Sequence, residues 1–197
     1  DVGVYSVAVR ISGIWYVVPA AITQSVMPSI VAARSWGDGR YESRIARVVA
    51  LLFWTSVAVA LIVTAAGPAV VRLLLGEEYR AAGQVLQVHF WAGVFVALGV
   101  AIQQWYLAEN RLRIDLYRTV AGAVTNLALN VVMIPRFGIT GAAIATVASQ
   151  FIAAYFSAWW FPAGRQAWGL MNRGILWPYT WVVERLRRIH TAYRRRR

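Results

Sequence analysis

At 197 residues the chain could fold as one domain, but 59% of it is hydrophobic, 14% is charged and its mean hydropathy is +0.54. Soluble domains carry about 25% charged and about 45–50% apolar residues, so eight acids and twenty bases are too few to coat a water-exposed surface of this size. That excludes an ordinary soluble fold and predicts an all-α, polytopic transmembrane helix bundle. The twenty bases are all arginine and give a net charge of +12. Because they lie between and after apolar runs, they read as loops flanking spans and not as a nucleic-acid surface. With no cysteine, disulfides and thiolate metal sites are excluded as well.

Uncharged stretches occupy 11–33, 48–71, 81–108, 119–135 and 137–164. A spanning helix needs roughly 20 apolar residues, which predicts five spans near 4–32, 46–66, 83–107, 114–134 and 139–161. The first carries Arg10 and Gln24, with Pro19 and Pro28 each removing a helical hydrogen bond and inviting a kink. It ends at SWGDGRYES (35–43), a charged Gly/Ser turn. After the second span, GPAVVRLLLGEEYR (67–80) reads as a Gly-Pro break, a short interfacial helix at VVRLLL, and a Glu77-Glu78 pair capping the next span. The third span holds Gln103 and Gln104 and stops at ENRLR (109–113). The fourth begins with Asp115 and Arg118 on one helical face and carries Asn126 and Asn130, four apart and so sharing one face. A Pro/Gly turn, PRFGITG (135–141), leads to a last span whose Gly141, Ala145 and Ala148 form a small-residue packing face.

These spans form a transmembrane unit over 1–162, followed by a basic tail over 163–197. In the tail, Tyr179, Val182, Leu186, Ile189 and Tyr193 recur at helical spacing opposite Glu184, Arg187, Arg188 and Arg195. That pattern predicts an amphipathic helix on the anionic inner leaflet, with Arg187, Arg188, Arg194 and Arg195 as membrane-surface residues. The alternative is a basic terminus that only fixes topology. With the C-terminus in the cytoplasm, fifteen arginines lie inside and only Arg72, Arg80 and Arg136 lie outside. The positive-inside rule selects that orientation. An odd number of spans then puts Asp1 outside the cell, as expected if a span precedes it.

The stretch NLALNVVMIPRFGITGAAIATVAS (126–149) has an Asn-rich span ending in Ile-Pro, a basic residue, Gly, then Gly-Ala-Ala-Ile-Ala-Thr. It resembles the signature near the end of the polysaccharide (O-antigen and exopolysaccharide) flippases. These belong to the multidrug/oligosaccharidyl-lipid/polysaccharide exporter superfamily. VGVYSVAVRISGIWYVVPAAITQSVMPSIVAA (2–33) is similar to that family's eighth span, and GPAVVRLLLGEEYRAAGQVLQV (67–88) to the external loop before its tenth. The resemblance covers about residues 2–162. It implies a twelve-span protein of two six-helix lobes in a bacterial or archaeal plasma membrane. Such a protein moves polyprenyl-pyrophosphate-linked oligosaccharide from the inner to the outer leaflet. On this mapping the chain is spans eight to twelve, a C-terminal fragment whose partner is a missing N-terminal lobe from the same parent chain or another.

Flipping a sugar headgroup through hydrocarbon is a solvation problem that needs no covalent chemistry. The chain has no P-loop, no G-x-S-x-G, no H-E-x-x-H, and histidines only at 89 and 190. No catalytic residue, metal or cofactor is therefore expected, and the partners expected are lipid-linked oligosaccharide and membrane lipids. Candidates for the substrate path are Arg10, Gln24, Gln103, Asn126, Asn130 and Arg118. Arg10 could fork onto a pyrophosphate or simply snorkel to the interface. Arg118 reads more readily as an interfacial salt bridge with Asp115. The amides could line a sugar path or make interhelical hydrogen bonds worth about 0.6 kcal/mol each, and the Asn pair reads as packing.

Three other readings remain open. A cation-coupled drug exporter would need intramembrane carboxylates, whereas all eight acids lie at loops, ends or the tail. A membrane glycosyltransferase or polymerase subunit would need a carboxylate or histidine cluster near an interface. A non-transporting half-transporter would enclose no path and would serve as a partner or do nothing.

Overall fold

The computed structural model describes residues 2–35 and 41–180. Among the described residues there is no strand. The chain runs as α1 (Val2–Ser35), α2 (Tyr41–Leu75), α3 (Arg80–His89), α4 (Ala92–Ala108), α5 (Leu112–Phe151), α6 (Ser157–Trp160) and α7 (Arg165–Ile175). Three helical stretches are long and apolar enough to cross a membrane: Gly3–Ile30, Tyr41–Leu75 and Leu112–Trp160. A fourth crossing forms if Glu77–His89 and Ala92–Ala108, bent by 40°, count as one broken span. The all-α, polytopic class read from composition is therefore the observed one.

The longest stretch is not a single span. Gly138 interrupts it with φ 57° and ψ −139°, a left-handed conformation that glycine adopts without steric cost. The chain doubles back there. A Cβ on Gly122 would lie 2.6 Å from Ala153 Cβ, Asn126 bonds Ser149, and Gly141 packs on the Met133 carbonyl. These pairs share one antiparallel register, so α5 is a helical hairpin with arms 112–137 and 139–160, the second continued through α6. Each arm exceeds the roughly 20 residues a span requires.

Two apolar clusters hold the bundle. One gathers Ile45, Val49 and Leu52 of α2, Leu98, Ile102, Trp105 and Tyr106 of α4, and Leu170 and Met171 of α7. The other joins Val71 of α2 to Val85 and Leu86 of α3, with Phe90 and Ala8. Outward faces are equally apolar, with Leu61, Leu73, Leu127 and Val131 all more than half exposed. An apolar exterior of this kind is a surface made for lipid.

Three local expectations from the sequence are corrected. The Gly-Pro at 67–68 does not break the chain: α2 continues through Pro68 to Leu75, so VVRLLL is the end of a long helix and not a separate short one. The reason is packing. Gly67 and Val71 are buried, and Gly83 lets α3 close directly on Pro68, since a Cβ at Gly83 would lie 2.8 Å from Pro68 Cα. Second, the segment near 83–107 is bent rather than straight, with Trp91 Nε1 donating to Thr64 Oγ1 (3.1 Å) at the bend. Third, an unforeseen helix, α7, follows Phe161 and Pro162. Its buried face is Ala167, Leu170, Met171 and Gly174, and Arg173 pairs with Glu42 at 2.7 Å. The tail arginines Arg187, Arg188, Arg194 and Arg195 lie outside the described residues.

Candidate functional site

Alpha-4 and the two arms of the α5 hairpin enclose an open cavity of about 540 Å³, with Tyr16 of α1 at its edge. Most of its surface is apolar, but a set of polar side chains reaches it: Gln103, Arg118, Thr119, Asn126, Thr146, Ser149 and Gln150. The hairpin creates it, because residues far apart in sequence on the two arms face each other across small side chains. Gly122, Ala123, Ala153 and Ala154 leave the space that larger residues would fill.

Arg118 dominates the site. It is 8% exposed, a position in which an uncompensated guanidinium would cost several kcal/mol. Compensation comes from its own helix and from α4. Nε donates to Asp115 Oδ1 at 2.6 Å, Nη2 lies 2.6 Å from the same oxygen, and Nη2 also donates to the Gly99 carbonyl at 3.2 Å. The guanidinium stands 5.7 Å from the centre of the Tyr106 ring, within cation–π range. Glycine at 99 leaves room for this approach, since a Cβ there would lie 3.1 Å from Nη1. Asp115 is itself held by Gln103, whose Nε2 donates to Oδ2 at 3.0 Å. The result is a fixed Gln103–Asp115–Arg118 array with a satisfied charge at one wall of the cavity.

About two turns further along the first arm, Asn126 and Asn130 form a chain of hydrogen bonds that joins it to the second. Asn130 Nδ2 donates to Asn126 Oδ1 (3.0 Å), Asn126 Nδ2 to Ser149 Oγ (3.2 Å), and Ser149 Oγ to the Thr146 carbonyl (2.9 Å). Asn130 Oδ1 is buried without a hydrogen-bond partner. Among the described residues, no cluster of three or more His, Asp or Glu side chains could hold a metal.

The structure thus brings Gln103, Arg118 and Asn126 to one cavity, with Asn130 bonded to Asn126 behind it, and leaves Arg10 and Gln24 apart from them. Those two lie exposed on α1, with Val17 midway between them, so one helical face carries all three. Neither makes an ion pair or hydrogen bond to a described residue. Sequence reasoning did not anticipate Asp115 as the link between Gln103 and Arg118, or Ser149 as partner of Asn126. The polar spacing on each arm was visible, but the register between arms was not.

Residues 8–178 match the family described as lipid II flippase MurJ. The chain is 33% identical over 165 residues to the probable flippase AglR of Haloferax volcanii, covering 76% of this chain and 32% of that protein. It is 26% identical over 152 residues to the probable low-salt glycan biosynthesis flippase Agl15 of the same organism, covering 75% and 32%. An uncharacterized membrane protein of Methanocaldococcus jannaschii, MJ1068, is 30% identical over 90 residues, covering 46% of this chain and 18% of that protein. The chain therefore spans about a third of the length of the two flippases it matches. No solved structure matches it significantly.

Proposed function

The chain belongs to the MurJ lipid II flippase family, and from that premise we propose that it forms one lobe of a flippase for polyprenyl-pyrophosphate-linked oligosaccharide in glycan biosynthesis. The observation that carries this reading is the cation- and amide-lined cavity inside an otherwise apolar, membrane-length bundle. A sugar headgroup costs several kcal/mol in hydrocarbon unless polar groups and water surround it. Amides serve that need because each offers donors and an acceptor to sugar hydroxyls. The reaction breaks no bond, so the lobe acts as a transporter and not as an enzyme.

In this account Arg118 and its partners keep one wall of the cavity rigid and polar. Arg10, unpaired on the open face of α1, supplies the charge that the pyrophosphate meets, using the planar fork of its guanidinium. A second lobe, from the same parent chain or another, closes over that face, and alternating exposure to the two leaflets follows from rocking between lobes. The arginine-rich end, where Arg34 pairs with Glu109 and Arg111 donates to the Ala163 carbonyl, lies in the cytoplasm by the positive-inside rule. The C-terminus is on that side and residue 1 on the outer side of the plasma membrane.

The test is a leaflet-access assay on the parent protein in liposomes loaded with a lipid-linked oligosaccharide. Glycan should become accessible to an external sugar-cleaving enzyme in a protein-dependent manner. No gain over protein-free liposomes, with correctly inserted protein, would refute the reading.

A further inference from the structure

At the arginine-rich end, α2 borders two recesses that share one residue, Arg47. The first, about 380 Å³, lies between α1 and α2 and is lined by Ser29, Ile30, Arg44, Arg47 and Val48. The second, also about 380 Å³, runs from Arg47 along Ala50, Leu51 and Trp54 to Trp177 and Pro178. The first is about half polar and the second almost wholly apolar, so Arg47 stands at the junction of two chemistries.

The apolar slot is built by a long-range link. Trp54 Nε1 donates to the Ile175 carbonyl at 3.1 Å, at the end of α7. Gly174 makes that approach possible, because a Cβ there would lie 2.5 Å from Val49 Cγ1 and 2.7 Å from the Ala46 carbonyl. Trp177 and Pro178, just beyond, supply the slot's other wall.

The charges at this end are unevenly satisfied. Arg34 pairs with Glu109 and Arg173 with Glu42. By contrast, Arg44 donates to the Ser29 carbonyl and Arg47 to the Ser43 carbonyl, and neither has a carboxylate partner among the described residues. Two neighbouring guanidiniums beside an apolar slot complement a molecule with an anionic head and an aliphatic chain. The dimensions agree: Trp54 lies two helical turns from Arg47, about 10 Å along the axis. That exceeds the roughly 5–8 Å of a headgroup layer.

We propose that this paired recess binds one anionic glycerophospholipid of the surrounding bilayer, its phosphate between Arg44 and Arg47 and one acyl chain between Trp54 and Trp177. Basic pockets between spanning helices recognise lipid phosphates in this way. The site is separate from the cavity of α4 and α5, and it does not depend on which glycan the protein moves. Occupancy would brace α7 against α2 and the end of α1.

Native mass spectrometry of the intact parent protein, titrated with phosphatidylglycerol or phosphatidylcholine, tests the assignment. One retained phosphatidylglycerol is expected, bound at least tenfold more tightly than phosphatidylcholine. The double variant R44Q/R47Q should weaken it about 25-fold, at about fivefold per arginine, whereas R72Q at the other end of α2 should leave it unchanged. W54A should weaken the lipid but not the binding of acyl-free glycerophosphoglycerol, which should be feeble throughout. Equal retention of phosphatidylglycerol by wild type and R44Q/R47Q would overturn the site. Equal weakening by R72Q would reduce it to general charge, and preferential displacement by a polyprenyl phosphate would assign the groove to the carrier lipid instead.

Discussion

Arg118 and Arg10 both interrupt apolar helices, yet Arg118 is 8% exposed and held by Asp115, Gly99 and the Tyr106 ring, whereas Arg10 is exposed and bonded to no described residue. The cost of placing a guanidinium in a membrane is the same problem in both places, but it is met differently. Arg118 is neutralised within the lobe, and Gln103 fixes the carboxylate that neutralises it. Arg10 is left for something outside the described lobe to satisfy, whether water, a lipid phosphate or a substrate anion. An internally paired cation chiefly sets the shape of a cavity, while an unpaired one is free to act on what enters.

The contrast is broken most severely by removing Asp115. In D115A the buried guanidinium loses its counter-charge, and the bundle should lose about 3–5 kcal/mol of stability, read as a lowered thermal or denaturant midpoint in detergent. Retained stability would mean that Arg118 reaches water. Overpacking the hairpin comes next: G122L pushes against Ala153 and the Ser149 carbonyl and should cost about 1–3 kcal/mol by the same readout. S149A, which removes one interarm hydrogen bond from Asn126, should cost only about 0.6 kcal/mol. R10Q belongs at the bottom of this stability series, with no measurable change, because nothing described holds that side chain.

The hairpin at Gly138 was legible because its signals are local. Pro135, Arg136 and Gly138 sit between two uncharged runs, and the structure turns there. The Asp115–Arg118 pair was legible for the same reason, being three residues apart on one helix. What the residues could not reveal is set by register between distant segments. Gln103 meets Asp115 only because α4 and α5 pack antiparallel after a tight turn, and Asn126 meets Ser149 only in the observed hairpin register. Pro68 misled because a proline ordinarily ends a helix, and Gly83, fifteen positions later, is what stabilises the continuous one by close packing. The helix α7 was hidden for a related reason: what seats it is distant in sequence, since Gly174 is the contact that lets it pack on α2.

The most direct measurement compares flipping and folding in one variant. R10Q in the liposome-reconstituted parent protein should slow the appearance of lipid-linked oligosaccharide in the outer leaflet by tenfold or more, roughly the loss of one charge-assisted bidentate contact, with an unchanged unfolding midpoint. Wild-type flipping rates in R10Q at equal insertion would contradict the account and remove Arg10 from the substrate path.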